Sequence, residues 1–332
     1  MTALPEVRVL RETEIRALIG PKEALGAVRE GFSRLARGQV TLPGVIGLDL
    51  PEAQGEVHVK GAHIHGSPSF SIKEAAGFYG NTARGLPVSS GVVLVFDAAT
   101  GFLGALLLDN GYLTELRTGA AGALAADLLA KREVSTAAII GAGGQARYQL
   151  EALLGVRRPG RVLVWSRTPE RSEAYAKEMA SRFGLSVAAV GSAREAVEPA
   201  DLVITTTPSR EAIVRAEWLR PGVHVTAMGS DGPDKRELES SVLARATKVV
   251  ADRLDQCLRL GEIHHAVAEG IIEASRIHGE LGEIAAGFKP GRESEDEINV
   301  ADLTGVGVQD AAVADFTLAA AVKAGAGELL KV

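Results

Sequence analysis

The chain has 332 residues, of which 46% are hydrophobic and 23% are charged, and its formal net charge is −6. The length predicts two domains, and the composition is that of an ordinary globular protein. The negative charge and the lack of any Lys/Arg-rich block exclude a nucleic-acid partner, and apolar runs such as 92–96 are too short to span a membrane. A single cysteine, Cys257, excludes an intrachain disulfide, and residues 1–6 show no signal-peptide pattern, so we expect a cytoplasmic protein.

The first third of the chain predicts helices followed by a sheet. Apolar residues recur at helical spacing over 11–37. Short apolar stretches then alternate with Gly and Pro from about 40 to 108, which indicates strands of a mixed or antiparallel sheet joined by turns. These stretches are 45–50, 56–64, 70–73, 92–96 and 102–108. An Ala- and Leu-rich helix follows over 114–131, and Thr114 is its expected N-cap.

The middle of the chain alternates strands with helices, which is typical of a parallel sheet with crossover helices. Strands are predicted at 136–140, 161–165, 186–190, 202–205, 223–228, 248–251 and 298–303. A glycine-rich turn over 304–308 precedes a last helix over 309–323. We therefore predict an α/β protein with a Rossmann-type doubly wound parallel sheet over 121–304. Residues 1–120 with 305–332 would form a mixed α/β domain for substrate binding and dimerisation.

A glycine motif, Gly141-Ala142-Gly143-Gly144-Gln145-Ala146, follows the first strand of this parallel sheet. Gly-x-Gly-x-x-Ala between a strand and a helix is the dinucleotide-binding fingerprint: its glycines permit a tight turn and close approach of the backbone to a pyrophosphate. Free N–H groups at the helix N-terminus then bind the phosphates. The motif predicts NAD(P) binding through Gly141, Gly143, Gly144, Gln145 and Ala146.

The next strand ends in Ser166-Arg167-Thr168, where a site for NAD usually has a carboxylate that binds the ribose 2′-hydroxyl. An arginine and hydroxyl groups instead favour a 2′-phosphate, which they bind through charge-assisted hydrogen bonds. The sequence therefore favours NADP(H), and NAD(H) stays possible.

Polar residues near the ends of predicted elements are candidates for substrate chemistry. Lys73 lies close to a turn, and Arg117 lies at the start of the long helix, where a cation opposes the helix dipole and needs another reason to be present. An arginine there could bind a carboxylate bidentately. Asp231 follows the strand at 223–228, and ligands of doubly wound sheets lie at the carboxyl ends of strands.

Together these segments resemble the ornithine cyclodeaminase/μ-crystallin family over nearly the whole chain. The resemblance rests on the segment 73–81 with Gly85-Leu86-Pro87, on 116–121, on the glycine motif and Ser166-Arg167, and on Gly229-Ser230-Asp231 and Gly305-Val306-Gly307. The stretches 57–62 and 108–114 resemble the branch of ectoine-utilisation cyclodeaminases.

The resemblance implies an enzyme of amino-acid metabolism that binds NAD(P)(H) and acts on α-amino or α-imino acids, commonly as a homodimer. Lys73 and Asp231 would be catalytic. Lys73 would contact the substrate carboxylate or assist proton transfer at the imine, and Arg117 would bind the carboxylate close to the nicotinamide. Further cofactor contacts would come from Ser166, Arg167, Thr168, Thr206, Thr207, Met228, Ser230 and Val306.

Two departures weaken the specific comparison with ornithine cyclodeaminases. Those enzymes carry an arginine upstream of the lysine, whereas residues 42–48 contain none, so we expect Lys60 to help bind the substrate instead. The other departure is Ser166, which replaces the carboxylate of the NAD-dependent enzymes.

These features favour an NADP(H)-dependent imine reductase or amino-acid dehydrogenase that transfers hydride at the α-carbon. One alternative is a cyclodeaminase that recycles its NAD and releases ammonia. Another is a non-enzymatic NADPH-dependent binder of small ligands, similar to μ-crystallin. No metal is expected, because His58, His63 and His65 lack an accompanying carboxylate or cysteine at ligand spacing.

Overall fold

The computed structural model describes residues 6–331, and the N-terminal residues considered above for a leader sequence lie mostly outside that range. The chain divides into two compact units. One unit comprises the described residues up to Arg117 together with those from Val306 onward, and the other spans Thr118–Gly305. Residues 118–120 therefore belong to the second unit and Gly305 does too, a shift of a few residues from the predicted division.

The first unit is built on a mixed sheet. Its strands are β1 (Val7–Arg11), β2 (Val40–Thr41), β3 (Ile46–Leu50), β4 (Gly55–Ile64), β5 (Ser69–Phe78), β6 (Ser89–Asp97), β7 (Leu103–Leu108) and β16 (Glu328–Leu330). The order is β16-β1-β7-β6-β5-β4-β2, and β3 pairs with β4. Only the β1–β7 pair is parallel among the strand pairs described in this sheet.

Residues along the sheet of the first unit alternate between two environments. On one face Val93, Val95 and Leu107 are fully buried. The sheet packs against the helix α11 (Gly307–Ala324), and α11 also packs on α2 (Pro21–Ala36). On the other face Leu94 and Leu106 are only partly buried. This sheet is therefore apolar on both faces, although helices of the unit cover one of them.

The second unit contains the parallel sheet that the alternation of strands and helices predicts, and this confirms the α/β fold class. Its strands are β8 (Thr136–Ile140), β9 (Arg161–Trp165), β10 (Val187–Ala189), β11 (Leu202–Thr205), β12 (His224–Ala227), β13 (Lys248–Ala251), β14 (Gly279–Glu280) and β15 (Asn299–Asp302). The strand order is β10-β9-β8-β11-β12-β15-β13-β14. The order reverses direction between β8 and β11, which is where such sheets bind ligands.

Helices cover both faces of this parallel sheet, so its strands are continuous apolar runs. Ala137 and Ile139 belong to one buried core, and Ala138 and Ile140 belong to the other. The helices that follow the strands are α4 (Gly144–Leu153), α5 (Pro169–Phe183), α6 (Ala193–Val197), α7 (Ser240–Arg245), α8 (Leu254–Cys257), α9 (Gly261–Ala268) and α10 (Leu281–Ala285).

The helices of the first part differ in detail from the prediction. The segment 11–37 is divided into α1 (Glu12–Leu18) and α2, and the long helix α3 spans Tyr112–Leu129. The expected N-cap Thr114 lies inside α3. Asp109 caps the helix instead, because its Oδ2 accepts a hydrogen bond of 2.8 Å from the Leu113 N–H.

Candidate active site

Two basic residues of the first unit share one buried carboxylate. Lys73 lies in the middle of β5, Arg117 lies in α3, and Asp310 lies in the first turn of α11. Lys73 Nζ is 3.2 Å from Asp310 Oδ1, and Arg117 Nε is 3.0 Å from the same oxygen. The side chains of Lys73 and Asp310 are each only 2% exposed. The fold thus brings together residues that are far apart in the sequence.

Lys60 adds a third positive charge to this cluster. It is the cross-strand partner of Lys73 in the β4–β5 pair, so the two side chains share the buried face of the sheet. Burial lowers the pKa of Lys73, Asp310 opposes that shift and repulsion from Arg117 and Lys60 adds to it, so the resulting pKa is about 8. Burial alone would raise the pKa of Asp310, but Arg117, Lys73 and Lys60 hold it below its usual value.

The cation cluster of Lys60, Lys73, Arg117 and Asp310 holds three basic groups against one acid. Arg117 Nη1 also donates to Gln309 Oε1 at 2.7 Å. Two buried polar atoms of the same turn, Gln309 Nε2 and Asp310 Oδ2, have no hydrogen-bond partner among the described residues. Three buried cations, an amide donor and a carboxylate acceptor together suit a small anion that also carries an N–H group.

Asp231 lies in the second unit, in the loop that follows β12. Its Oδ1 accepts a salt bridge of 2.7 Å from Lys235 Nζ, and the Asp231 side chain is 39% exposed. The loop is held by Ser230 Oγ, which donates to the Lys235 carbonyl, and by His265, whose Nε2 is 2.8 Å from the same carbonyl oxygen. Asp231 is therefore a partly exposed carboxylate on a loop that is fixed by hydrogen bonds to the Lys235 carbonyl.

The glycine motif forms the turn between β8 and α4, at the reversal of the strand order. Gly141 has a φ of +109°, and a Cβ there would lie 2.6 Å from Thr206 Oγ1. A Cβ at Gly143 would meet nothing within 4 Å, so the backbone at this point faces open space. Helix α4 begins at Gly144, so the N–H groups of Gly144, Gln145 and the buried Ala146 lie in its first turn, where a helix binds phosphate groups. The turn fits a dinucleotide pyrophosphate.

The end of β9 carries hydroxyl and guanidinium groups where NAD sites have a carboxylate. Ser166 Oγ donates to the Thr168 carbonyl at 2.8 Å and lies 2.8 Å from Ser172 Oγ, and Thr168 is the N-cap of α5. Arg167 is exposed. Within residues 6–331 it makes no hydrogen bond or ion pair, so its guanidinium is available to an anion.

The remaining predicted cofactor residues lie at the carboxyl ends of neighbouring strands. Thr206 and Thr207 follow β11, and the buried Met228 and Ser230 follow β12. Val306 is the N-cap of α11 and belongs to the first unit.

The histidines considered for a metal have other contacts. His65 Nε2 is 3.0 Å from Thr41 Oγ1, and His63 Nε2 is 3.4 Å from the Ser67 carbonyl. His58 lies in β4, opposite Gly47 and Ala75. Over residues 6–331 no three His, Cys, Asp or Glu side chains come together as metal ligands. In the same range, none of the helices has both the length and the apolar character that a membrane span requires.

Three polar residues of these sites were not predicted from the sequence. Gln309 and Asp310 precede an Ala-rich stretch and look like polar residues at the start of a helix. Lys235 lies in the polar stretch 231–237, which resembles a solvated loop. Of the three, only Asp310 has a sequence feature that could have predicted its burial: it is directly followed by three apolar residues.

Comparison with known proteins relates the whole chain to nicotinamide-dependent enzymes. The model of the ornithine cyclodeaminase/mu-crystallin family matches residues 6–324. An uncharacterized cyclodeaminase, y4tK, of Sinorhizobium fredii is 43% identical over 99% of this chain and 100% of its own.

Two solved structures are similar to the chain throughout. An archaeal alanine dehydrogenase dimer with bound NAD has a TM-score of 0.91 and 36% identity, covering 98% of this chain and 99% of that one. The Δ1-pyrroline-2-carboxylate reductase of Thermococcus litoralis, in complex with NADH and L-proline, has a TM-score of 0.92 and 33% identity, covering 97% and 99%.

Proposed function

This chain belongs to the ornithine cyclodeaminase/mu-crystallin family, and from that premise we propose that it is a nicotinamide-dependent oxidoreductase acting on a small α-imino or α-amino acid. The observation that carries the proposal is the cation cluster, in which Lys73 and Arg117 converge on one oxygen of Asp310. Such a cluster binds a carboxylate. The relatives of this chain include proteins named as reductases of imino acids and one named as an alanine dehydrogenase.

The residues of the first unit would bind and orient the substrate. Arg117, Lys60 and Lys73 would bind the carboxylate, because all three are buried cations of one cluster. Lys73 and Asp310 would act at the substrate nitrogen. The Lys73 ammonium would donate a proton to it, and Asp310 Oδ2 would accept a hydrogen bond from the substrate N–H. A lysine with a pKa of about 8 exchanges a proton near neutral pH more readily than an ordinary lysine does.

The second unit would supply the cofactor and a further acid. The bound nicotinamide exchanges hydride with the α-carbon of the substrate. Gly141, Gly143, Gly144 and Gln145 would hold its pyrophosphate. Asp231, paired with Lys235, would move a proton to or from the amine nitrogen or a water molecule.

We propose NADP(H) as the preferred cofactor, with NAD(H) also accepted. The proposal is supported by the exposed Arg167, by the hydroxyl groups of Ser166 and Thr168, and by the absence of a carboxylate at the end of β9. A second exposed arginine, Arg171, lies in the first turn of α5. Similar proteins have been solved with NAD or NADH bound, so both nucleotides belong in the test.

We propose a cytoplasmic homodimer. The cytoplasmic location is supported by the single cysteine, which is buried and unpaired in the structure. The dimer is supported by the edge strand β3, where Ile46 and Leu48 are 65% and 57% exposed and continue the apolar outer face of the sheet.

The proposed activity is tested with a panel of carbonyl and imine substrates. Pyruvate, glyoxylate, oxaloacetate and cyclic imino acids are each supplied with ammonia or methylamine, and loss of NADPH or NADH absorbance is followed. We expect turnover with at least one substrate, and we expect Arg117→Lys to lower kcat/KM by about 100-fold or more because it loses the guanidinium fork.

The exposed Arg194→Lys is the matched control, since Arg194 pairs with Glu198 on the surface and its replacement should behave as the wild type. An inactive wild type across the panel, with both nucleotides, would overturn the proposal.

A cyclodeaminase is the second candidate, favoured by the 43% identity to y4tK. It predicts that ammonia is released from L-ornithine or another diamino acid while the total of reduced nucleotide stays constant. Ammonia release coupled to stoichiometric NAD(P)H formation excludes it. A ligand-binding role without catalysis would instead show tight NADPH binding and activities unaffected by Lys73→Ala and Arg117→Ala.

A further inference from the structure

Glu237 has a fully buried carboxylate that joins two separate turns of the second unit. Its Oε2 accepts hydrogen bonds from Thr205 Oγ1 at 2.6 Å and from the Gly229 N–H at 2.8 Å. Its Oε1 accepts from the Thr207 N–H at 2.5 Å. All three partners are donors, and they come from the end of β11 and from the loop after β12. One side chain therefore fixes the distance between these two turns.

The turn at Thr206–Thr207 and the loop at Gly229 are packed so closely that no side chain fits at position 229. A Cβ at Gly229 would lie 2.1 Å from the Thr207 carbonyl oxygen and 2.8 Å from Glu237 Cδ. The Thr206–Thr207 turn in turn contacts the glycine motif at Gly141. Three turns that carry predicted cofactor residues are thus packed one on another, with the Glu237 carboxylate between two of them.

Glu237 itself is held in one orientation. Its backbone N–H donates to Glu262 Oε1 at 2.8 Å, and the Leu238 N–H donates to Glu262 Oε2 at 3.0 Å. Its carbonyl accepts from the N–H groups of Ile213 and Val214. Burial raises the pKa of Glu237, and the donors from Thr205, Thr207 and Gly229 offset part of that shift. Hydrogen bonds therefore fix both the backbone and the carboxylate of Glu237.

The loop that carries Asp231 begins at Gly229 and ends at Glu237, so the Gly229–Glu237 hydrogen bond closes that loop upon itself. We propose that Glu237 is a positioning residue, which acts through the Thr206–Thr207 turn on the cofactor and through the closed 229–237 loop on Asp231. This inference rests on the proposed function, since it concerns the cofactor and the acid that the proposal assigns.

The test replaces one carboxylate oxygen by an amide. Glu237→Gln keeps the volume but points an NH₂ group at the N–H of Thr207 or Gly229, so two donors face each other. We expect the Kd of NADPH and NADH, measured by fluorescence, to rise by about tenfold or more, and kcat to fall. The KM of the imino or amino acid should stay within about threefold, because the cation cluster is untouched.

Glu297→Gln is the matched control. Glu297 is another buried carboxylate of the second unit, but it precedes β15 at the amino end of that strand, where it binds Lys248 and Asn299. Its loss should lower the melting temperature and leave the cofactor Kd within about twofold of the wild type, as expected for a group with only a structural role. An equal rise in the cofactor Kd in both variants would overturn the proposal.

Thr205→Val is a milder second variant for the case in which Glu237→Gln does not fold. It removes one donor to Glu237 with little change in volume, and we expect a rise of two- to fivefold in the cofactor Kd. Either variant, folded and with the wild-type cofactor Kd and kcat, overturns the role of Glu237 and leaves the proposed function intact. A wild type that binds NADPH but reduces no imine overturns the proposed function, whereas the Kd comparison still decides the role of Glu237.

Discussion

Lys73 keeps its positive charge at a cost, because it is buried beside two other cations. Asp310 is the acid that makes this charge tolerable, and breaking a buried pair by removing one partner typically costs about 3–5 kcal/mol. A protein that only needed stability would do better with apolar residues of similar volume at these positions. The cluster is therefore explained by binding and chemistry rather than by stability.

The lowered pKa of Lys73 predicts a pH-dependent affinity for carboxylates. Below pH 8 the ammonium is charged and attracts a carboxylate, and above pH 8 it is neutral. We expect the Kd of L-proline, measured by calorimetry with NADPH present, to rise as the pH increases from 7 to 9.5, by up to about tenfold per unit above pH 8.

Lys73→Arg is the control for this prediction, because a guanidinium stays protonated throughout the range. The variant should bind L-proline with a Kd that is nearly independent of pH. A wild-type Kd that is also constant from pH 7 to 9.5 would contradict the assignment of Lys73 as a charged partner of the carboxylate.

The sequence pointed to all three cations of the cluster but not to Asp310, the acid that they share. Arg117 stood out because a cation in an early helical turn opposes the dipole, and that argument needs only local information. Its partner, Asp310, is 193 positions away, and no periodicity links the two. Glu237 escaped prediction for a related reason: its polar neighbours suggest a solvated loop, whereas its burial arises from β11, β12 and α9 packing around it.

Helix α11 brings Gln309 and Asp310 to the buried face of β4 and β5. Its first residue, Gly307, lies directly on β4: a Cβ there would be 2.3 Å from the Gly61 carbonyl oxygen. Both sides of this contact are backbone, that of α11 and that of β4. A side chain at position 307 could therefore be accommodated only if the helix or the strand moved. The missing side chain sets the depth at which α11 lies on the sheet.

Gly307→Ala is expected to push α11 away from β4 and so separate Asp310 from Lys73. We predict a loss of about 1–3 kcal/mol in the free energy of unfolding, measured by urea denaturation, together with weaker binding of L-proline. Gly26→Ala in α2 is the control: a Cβ there meets nothing within 4 Å, so it should raise stability by about 0.5–1 kcal/mol. Equal stabilities of the two variants would refute this account of Gly307.

Strands that form continuous apolar runs were predictable, and strands defined by pairing with distant parts of the chain were not. The buried strands β8, β9 and β11 fall where their apolar runs predict them. Strands β1 and β16 were not predicted, because each is defined by pairing with a strand distant in sequence. Strand β5 extends beyond the predicted 70–73, since β4 pairs with it up to Phe78 and β6 pairs with it up to Gly77.

The apolar outer face of the sheet in the first unit is expected to be covered by a second copy of the chain. We predict that light scattering after size exclusion gives twice the chain mass for the wild type. The double variant Ile46→Asp with Leu48→Asp should give the mass of one chain, because buried carboxylates at an apolar interface are costly.

Phe288→Asp controls for the general effect of charging an exposed apolar residue, since Phe288 is 60% exposed in the second unit. It should remain a dimer. Dimers formed equally by the β3 double variant would show that this face is not the interface.

The return of α11 to the first unit has a consequence for the order of synthesis. Arg117 and Asp310 are 193 positions apart, so a ribosome adding roughly 5–20 residues per second needs about 10–40 s to pass from one to the other. During that interval the whole of Thr118–Gly305 emerges, while Lys73 and Arg117 still lack Asp310. The second unit is thus free to fold first on the nascent chain, and the cation cluster assembles only after α11 has been synthesised.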